Sequence, residues 1–196
     1  MRVFSIGDWM YDVFGPYGAW GILVFVFLIF FIDAVVFPTL PELFFIIAFM
    51  YDPTVPWGAA ILCTAVVAEI AGIGLLYAVV ERIRIPRRIK AVADRYVDFL
   101  VVSDERILLV NRVAPMIPFA GAFISIIDSW RIGRALSYVA LGCLLKYGAI
   151  MLMSSFFYAY FSGPDAQSIT LIFIVAVIAL SMAAAFIKRK RTGLVA

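Results

Sequence analysis

Long apolar runs, interrupted at two places by paired prolines, set the pattern of the chain. In residues 1–17, Phe4, Ile6, Trp9, Met10, Val13 and Phe14 fall at helical spacing among Arg2, Asp8 and Asp12, which predicts a helix lying in a membrane interface. No charge occurs from 13 to 32, and 20–32 is almost wholly Leu, Ile, Val and Phe, which predicts a first span. Stretch 33–51 is equally apolar but holds Asp33, Pro38, Pro41 and Glu42. Proline removes a backbone donor and clashes with the preceding turn, so an unbroken helix is not expected there. Too short for two spans, the stretch predicts a hairpin that enters and leaves on one side, covered by protein or water at depth. Residues 53–80 carry one charge, Glu69, and read as a second span. Residues 107–127 repeat the earlier theme with Arg112, Pro115, Pro118 and Gly121, and predict a second hairpin. Two further spans are expected at 135–161, interrupted by Lys146, and at 166–187.

Flanking charges orient these elements. Loop 81–106 holds Arg82, Arg84, Arg87, Arg88, Lys90, Arg95 and Arg106, and the last span stops at Lys188, Arg189, Lys190 and Arg191. By the positive-inside rule both are cytoplasmic. Working backward, the first hairpin dips from outside and the second from inside, and the N-terminus is cytoplasmic, although Asp8 and Asp12 do not argue for that side. The expected fold is an all-α integral membrane protein with about four transmembrane helices plus two opposed re-entrant helical hairpins in an inverted-repeat arrangement. Its parts are the interfacial helix 1–17, a single membrane domain 18–187 and a basic cytoplasmic tail 188–196.

Composition narrows the function. With 65% hydrophobic and 15% charged residues among 196, and a mean hydropathy of +1.07, water is not the main solvent. Histidine is absent, which removes the usual zinc ligand, general base and partner of a nucleophilic serine. Cys63 and Cys143 sit in apolar stretches without a vicinal partner, so no disulfide framework, metal site or cofactor is expected. The Gly-x-Gly-Asp pattern of intramembrane aspartyl proteases fails, because Gly72-Ile73-Gly74 is followed by Leu75. No enzyme activity is expected. A single Arg2 followed by two acids predicts no removable signal peptide.

The chemistry rests on charges at membrane depth. Each costs about 2.5–3.5 kcal/mol on insertion scales, so Asp33, Glu42, Glu69, Arg112 and Lys146 need partners or water. One reading sets Asp33 and Glu42 on the first hairpin facing Arg112 on the second, where Arg and broken helix ends suit a phosphate or carboxylate. The bland alternative is that these groups only pair to hold the bundle, or snorkel to the interface. Proton coupling through Asp33, Glu42 or Glu69 is chemically available. The basic residues of loop 81–106 read as topology determinants and contacts to anionic lipid headgroups, with no nucleic-acid partner expected.

Two motifs make the chain resemble the DedA family, also described by its VTT domain. The first is an acid, a Pro-x-x-Pro break and a second acid: Asp33, Pro38, Pro41 and Glu42. The second resembles Arg-Phe-x-Pro-x-x-Arg followed by Ala-Gly, here Arg112-Val113-Ala114-Pro115-Met116-Ile117-Pro118 and then Ala120-Gly121. This chain has Val113 for the Phe and Pro118 for the second Arg, so an anion site would lack one cation, for which Lys146 is the available replacement. The resemblance spans roughly 20–161. It implies two opposed hairpins and transbilayer movement of lipids such as polyprenyl phosphate or phospholipids, driven in bacterial relatives by the proton motive force. On it, Arg112 binds phosphate, Asp33 and Glu42 handle protons or gate the cavity, and the prolines hold the site open. The implied location is the plasma membrane of a prokaryote, with homo-oligomers compatible. A proton-coupled exporter of small molecules or drugs, and a non-transporting membrane scaffold, stand as the alternatives.

Overall fold

The computed structural model describes residues 6–36, 41–83, 85, 86, 90, 92, 93, 104–112, 117, 119–160, 172 and 176. Among them all regular structure is helical, as the apolar periodicity requires. The elements are α1 (Ile6–Phe14), a 3₁₀ turn (Gly15–Tyr17), α2 (Gly18–Val35), α3 (Pro41–Phe49), α4 (Val55–Arg82), α5 (Ile107–Asn111), α6 (Ala120–Ile126) and α7 (Ile132–Tyr160). The expected span 166–187 except 172 and 176, the tail, most of loop 81–106, and Pro38, Pro115 and Pro118 lie outside the described residues.

Three helical stretches, Trp9–Val35, Val55–Arg82 and Ile132–Ser155, are long and apolar enough to cross a membrane. The first contains a fold-back. Gly18 has φ +60°, which glycine adopts without strain, and Met10 of α1 packs against Phe25 of α2 and Ile47 of α3. In one straight helix Met10 and Phe25 would stand about 22 Å apart. The part of this stretch long enough to cross is therefore α2, whose 18 residues measure about 27 Å, close to the hydrocarbon thickness. Outward positions agree with an apolar surround: Val24, Leu28, Ile32, Val67, Leu75, Val79, Leu145 and Leu152 are exposed. Three such helices make the chain compatible with a membrane protein.

Each break has a local cause. Pro41 opens α3 at its first position, where its missing N–H would be unpartnered anyway and its fixed φ suits a helix. The nine residues of α3 then return along α2, with Phe45 against Phe30 and Ile47 against Phe25 and Met10. Two aromatic donors tie down its C-terminal carbonyls: Tyr11 Oη donates to Ile47 O at 2.6 Å and Trp57 Nε1 to Ala48 O at 2.9 Å. In the second broken segment, Asn111 Nδ2 donates to Ile117 O at 3.2 Å while Ile117 N donates to Asn111 Oδ1 at 2.6 Å. One amide side chain thus satisfies both backbone groups of Ile117 beyond the end of α5. Phe119, with φ +53°, precedes α6 in the left-handed region, a strained position for a bulky residue.

Close packing rests on small residues. A Cβ at Gly72 would stand 2.6 Å from Ala34 Cβ, so α2 and α4 cross nearly backbone to backbone. One at Gly121 would stand 2.5 Å from Ile73 O, which sets α6 directly on α4. Gly121 was expected to break its segment. It is the second residue of a continuous helix, and the break lies before it because α6 is helical from Ala120 onward. The core joins α2, α3, α4 and α7 through Ile22, Phe30, Phe45, Phe49, Ile61, Ile73, Val139 and Tyr147.

Candidate functional site

The buried charges gather where the two broken segments approach one another. Glu69 is the fifteenth of the 28 residues of α4, and Lys146 the fifteenth of the 29 of α7. Both stand at the midpoints of helices about 42 Å long, as far as these helices allow from either end. Arg112 follows the last residue of α5, Glu42 is in the first turn of α3, and half-buried Asp33 is in the last turn of α2. Mid-helix and helix-end positions from five elements therefore supply one cluster.

Arg112 Nη1 donates to Glu69 Oε1 at 2.7 Å, with the side chains 12% and 0% exposed. Lys146 Nζ donates to the buried Glu42 carboxylate. Asp33 acts electrostatically on both Glu69 and Arg112. Five expected residues are thus brought together, but the pairing differs from the simplest sequence reading. Arg112 faces Glu69 rather than Glu42, and Glu42 faces Lys146. The two charges that looked like isolated interruptions of ordinary spans, Glu69 and Lys146, are the ion-pair partners of Arg112 and Glu42, two of the three in the broken segments.

The Glu69–Arg112 contact is single-pronged. Glu69 Oε2 and Arg112 Nε are buried without a hydrogen-bond partner among the described residues. A bidentate fork would have used more of the guanidinium's five donors. Arg112 therefore keeps donor capacity beyond the ion pair, and Glu69 keeps an oxygen.

Three rings lie beside the charges. Phe30, Phe45 and Tyr147 pack with centroids 4.9 Å apart for Phe30–Tyr147, 5.2 Å for Phe45–Tyr147 and 6.4 Å for Phe30–Phe45. Each stands a turn or less from a charge, in order Asp33, Glu42 and Lys146. All three are displaced toward the end of the bundle at which α4 begins. The layer excludes water from that side and raises the strength of the pairs beneath it.

Sequence reasoning missed two residues of this site. Gly142 lets α7 approach Arg112, since a Cβ there would stand 2.7 Å from Arg112 Cγ. Its signal was available: Gly142 precedes Lys146 by four residues and so shares its helix face. Asn111, which shapes the break, carried only its position beside Arg112. The described residues contain no group of three or more His, Cys, Asp or Glu able to hold a metal ion.

Comparison with family models, with curated proteins and with solved structures finds no match. The reading of this site therefore rests on its own geometry.

Proposed function

We propose that the chain is a DedA-like transporter that moves phosphate-bearing lipids, such as polyprenyl phosphate or phospholipids, across the bilayer. In this reading the segments around α2–α3 and α5–α6 are re-entrant hairpins dipping from opposite faces of a prokaryotic plasma membrane, with the C-terminal tail cytoplasmic. The carrying observation is the convergence of Asp33, Glu42, Glu69, Arg112 and Lys146 at mid-helix depth between the two breaks. Removing two charges from water costs roughly what their attraction returns, so a buried pair is a poor device for stability alone. It is a good device for exchange. A phosphate entering beside Arg112 replaces the Glu69 carboxylate with an acceptor of the same charge sign, and the unpartnered Nε supplies a second bond. Protonation of Glu69 frees Arg112 for the headgroup, which couples the exchange to a proton gradient.

A second reading, a scaffold in which the ion pairs only fasten the bundle, draws on the same pairing. The separating experiment is lipid movement in liposomes carrying labelled polyprenyl phosphate or glycerophospholipid, scored by exposure on the opposite leaflet. Arg112→Ala is a poor probe alone, because it strands the Glu69 carboxylate in the core. Glu69→Gln combined with Arg112→Gln keeps shape without a stranded charge and is expected to abolish movement in a folded protein. Movement at the wild-type rate in that double variant, or none above protein-free vesicles in the wild type, removes the transport reading.

A further inference from the structure

A cavity lies away from the central charges, at the end of the bundle where α4 stops and α6 passes into α7. Its volume is about 510 Å³, within the range of about 300–1,000 Å³ typical of small-ligand sites. Tyr77, Glu81, Lys90, Ser125, Asp128 and Trp130 supply its polar and aromatic lining, and Val80, Ile83, Ile124 and Ile127 its apolar part. Lys90 Nζ and Asp128 Oδ1 meet across it at 2.8 Å, and Tyr77 Oη donates weakly to Glu81 Oε1 at 3.5 Å. Trp130 is buried, and its indole N–H has no acceptor among the described residues. A buried donor left without an acceptor calls for one from a water or a ligand.

We propose that this cavity binds the headgroup of a zwitterionic phospholipid of the phosphoethanolamine type. Two carboxylates and one ammonium line it, so a purely anionic headgroup meets net repulsion, whereas a zwitterion answers both signs. The lipid ammonium takes Asp128 and Glu81 with the faces of Trp130 and Tyr77 beside it, a setting that suits a cation near aromatic rings. The phosphate takes Lys90 and supplies the acceptor for the Trp130 indole. The apolar isoleucines and Val80 continue the cavity toward the acyl region, at the level where the hydrophobic length of α4 ends and interfacial Trp and Tyr belong. The Lys90 and Asp128 side chains are 37% and 83% exposed, so their existing pair is a loose one that a ligand opens at little cost. This site is separate from Arg112, and its occupancy does not depend on whether the chain transports anything.

The test is thermal unfolding of the delipidated full chain in detergent, titrated with short-chain phosphatidylethanolamine, short-chain phosphatidylglycerol and free phosphoethanolamine. A saturable rise in Tm with phosphatidylethanolamine is expected, with weaker responses to the other two. Glu81→Gln with Asp128→Asn, at surface positions that leave the apo Tm near that of the wild type, is expected to weaken the apparent affinity about tenfold or more. Lys90→Gln weakens it in the same assay, which keeps the proposal testable should the double variant fold poorly. Equal response to phosphatidylglycerol overturns the zwitterion assignment. Equal response to free phosphoethanolamine overturns the lipid source. Unchanged affinity in both variants overturns the site.

Discussion

A carboxylate and an ammonium buried between long apolar helices are tolerated as a pair and not singly. Glu42→Gln leaves the Lys146 ammonium beside apolar rings without its partner, and a stranded buried charge costs about 3–5 kcal/mol. Glu42→Gln is therefore expected to lower Tm sharply, while Glu42→Gln with Lys146→Met recovers most of the loss. A double-mutant cycle measured by unfolding in detergent checks this, and an unmoved Tm in the single variant contradicts the pairing. Glu105 shows the same logic at the bundle's edge. Burial alone would raise its carboxyl, but the Arg131 backbone N–H at 2.8 Å, its own backbone N–H and the Arg134 guanidinium at 3.0 Å hold it below the ordinary value of 4.5. A depressed carboxylate contributes stability above its unfolded value and loses it as pH falls through its folded value. The stability difference between wild type and Glu105→Gln is thus expected to be constant near neutral pH and to shrink as pH falls below the ordinary value of 4.5. Unfolding titrations of the two proteins measure that difference directly.

At the scale of elements, glycines divide into those that permit contact and those that do not touch anything. Gly121 lies against the Ile73 carbonyl and Leu76, so an added methyl must push α6 off α4. Overpacking of this kind costs about 1–3 kcal/mol, more than the roughly 1 kcal/mol that alanine returns in helix propensity. Gly148 of α7 has nothing within 4 Å of its would-be Cβ. Gly121→Ala is expected to lower Tm and Gly148→Ala to raise it, and parallel melting curves decide both. Reversal of the order would mean that α6 does not sit on α4 as described. The broken segments depend on similar economy of means: Pro41 starts α3, Asn111 bridges to Ile117, and Trp57 and Tyr11 cap carbonyls that a short helix leaves open.

The whole molecule has two unlike ends. Tyr17, Trp20 and Tyr51 are exposed where α2 begins and α3 ends, an aromatic girdle suited to headgroup level. At the other end stand Arg82, Lys90, Glu105, Arg131 and Arg134, with ion pairs at Lys90–Asp128 and Arg134–Glu105. α7 runs opposite to α4, since Met151 meets Gly58 while Gly142 meets Arg112 beside Glu69. The proposed orientation puts the aromatic end outside and the basic end in the cytoplasm. In a background with Cys63 and Cys143 replaced, Asp52→Cys is expected to react with an impermeant maleimide in intact cells. Asp128→Cys is expected to react only after permeabilisation. The opposite pattern inverts the topology.

Much was legible from one dimension because its causes lie along the chain. Apolar length, the cost of charge at depth and the backbone effect of proline all act locally along the chain. They mark the long helices α2, α4 and α7, the interruption before Pro41, and Asp33, Glu42, Glu69, Arg112 and Lys146 as the residues needing an explanation. Partner choice is not local. Arg112 takes Glu69, 43 positions away, and Lys146 takes Glu42, 104 positions away, because Gly72, Gly121 and Gly142 allow the helices close enough to set those groups side by side. The fold-back of α1 at Gly18, the extension of α2 past Asp33 to Val35, and the aromatic layer beside the charges were also decided by packing. Hydropathy and charge determined which residues had to be answered for, and only the tertiary structure decided which group answers each, since attraction between charges depends on distance in space and not along the chain.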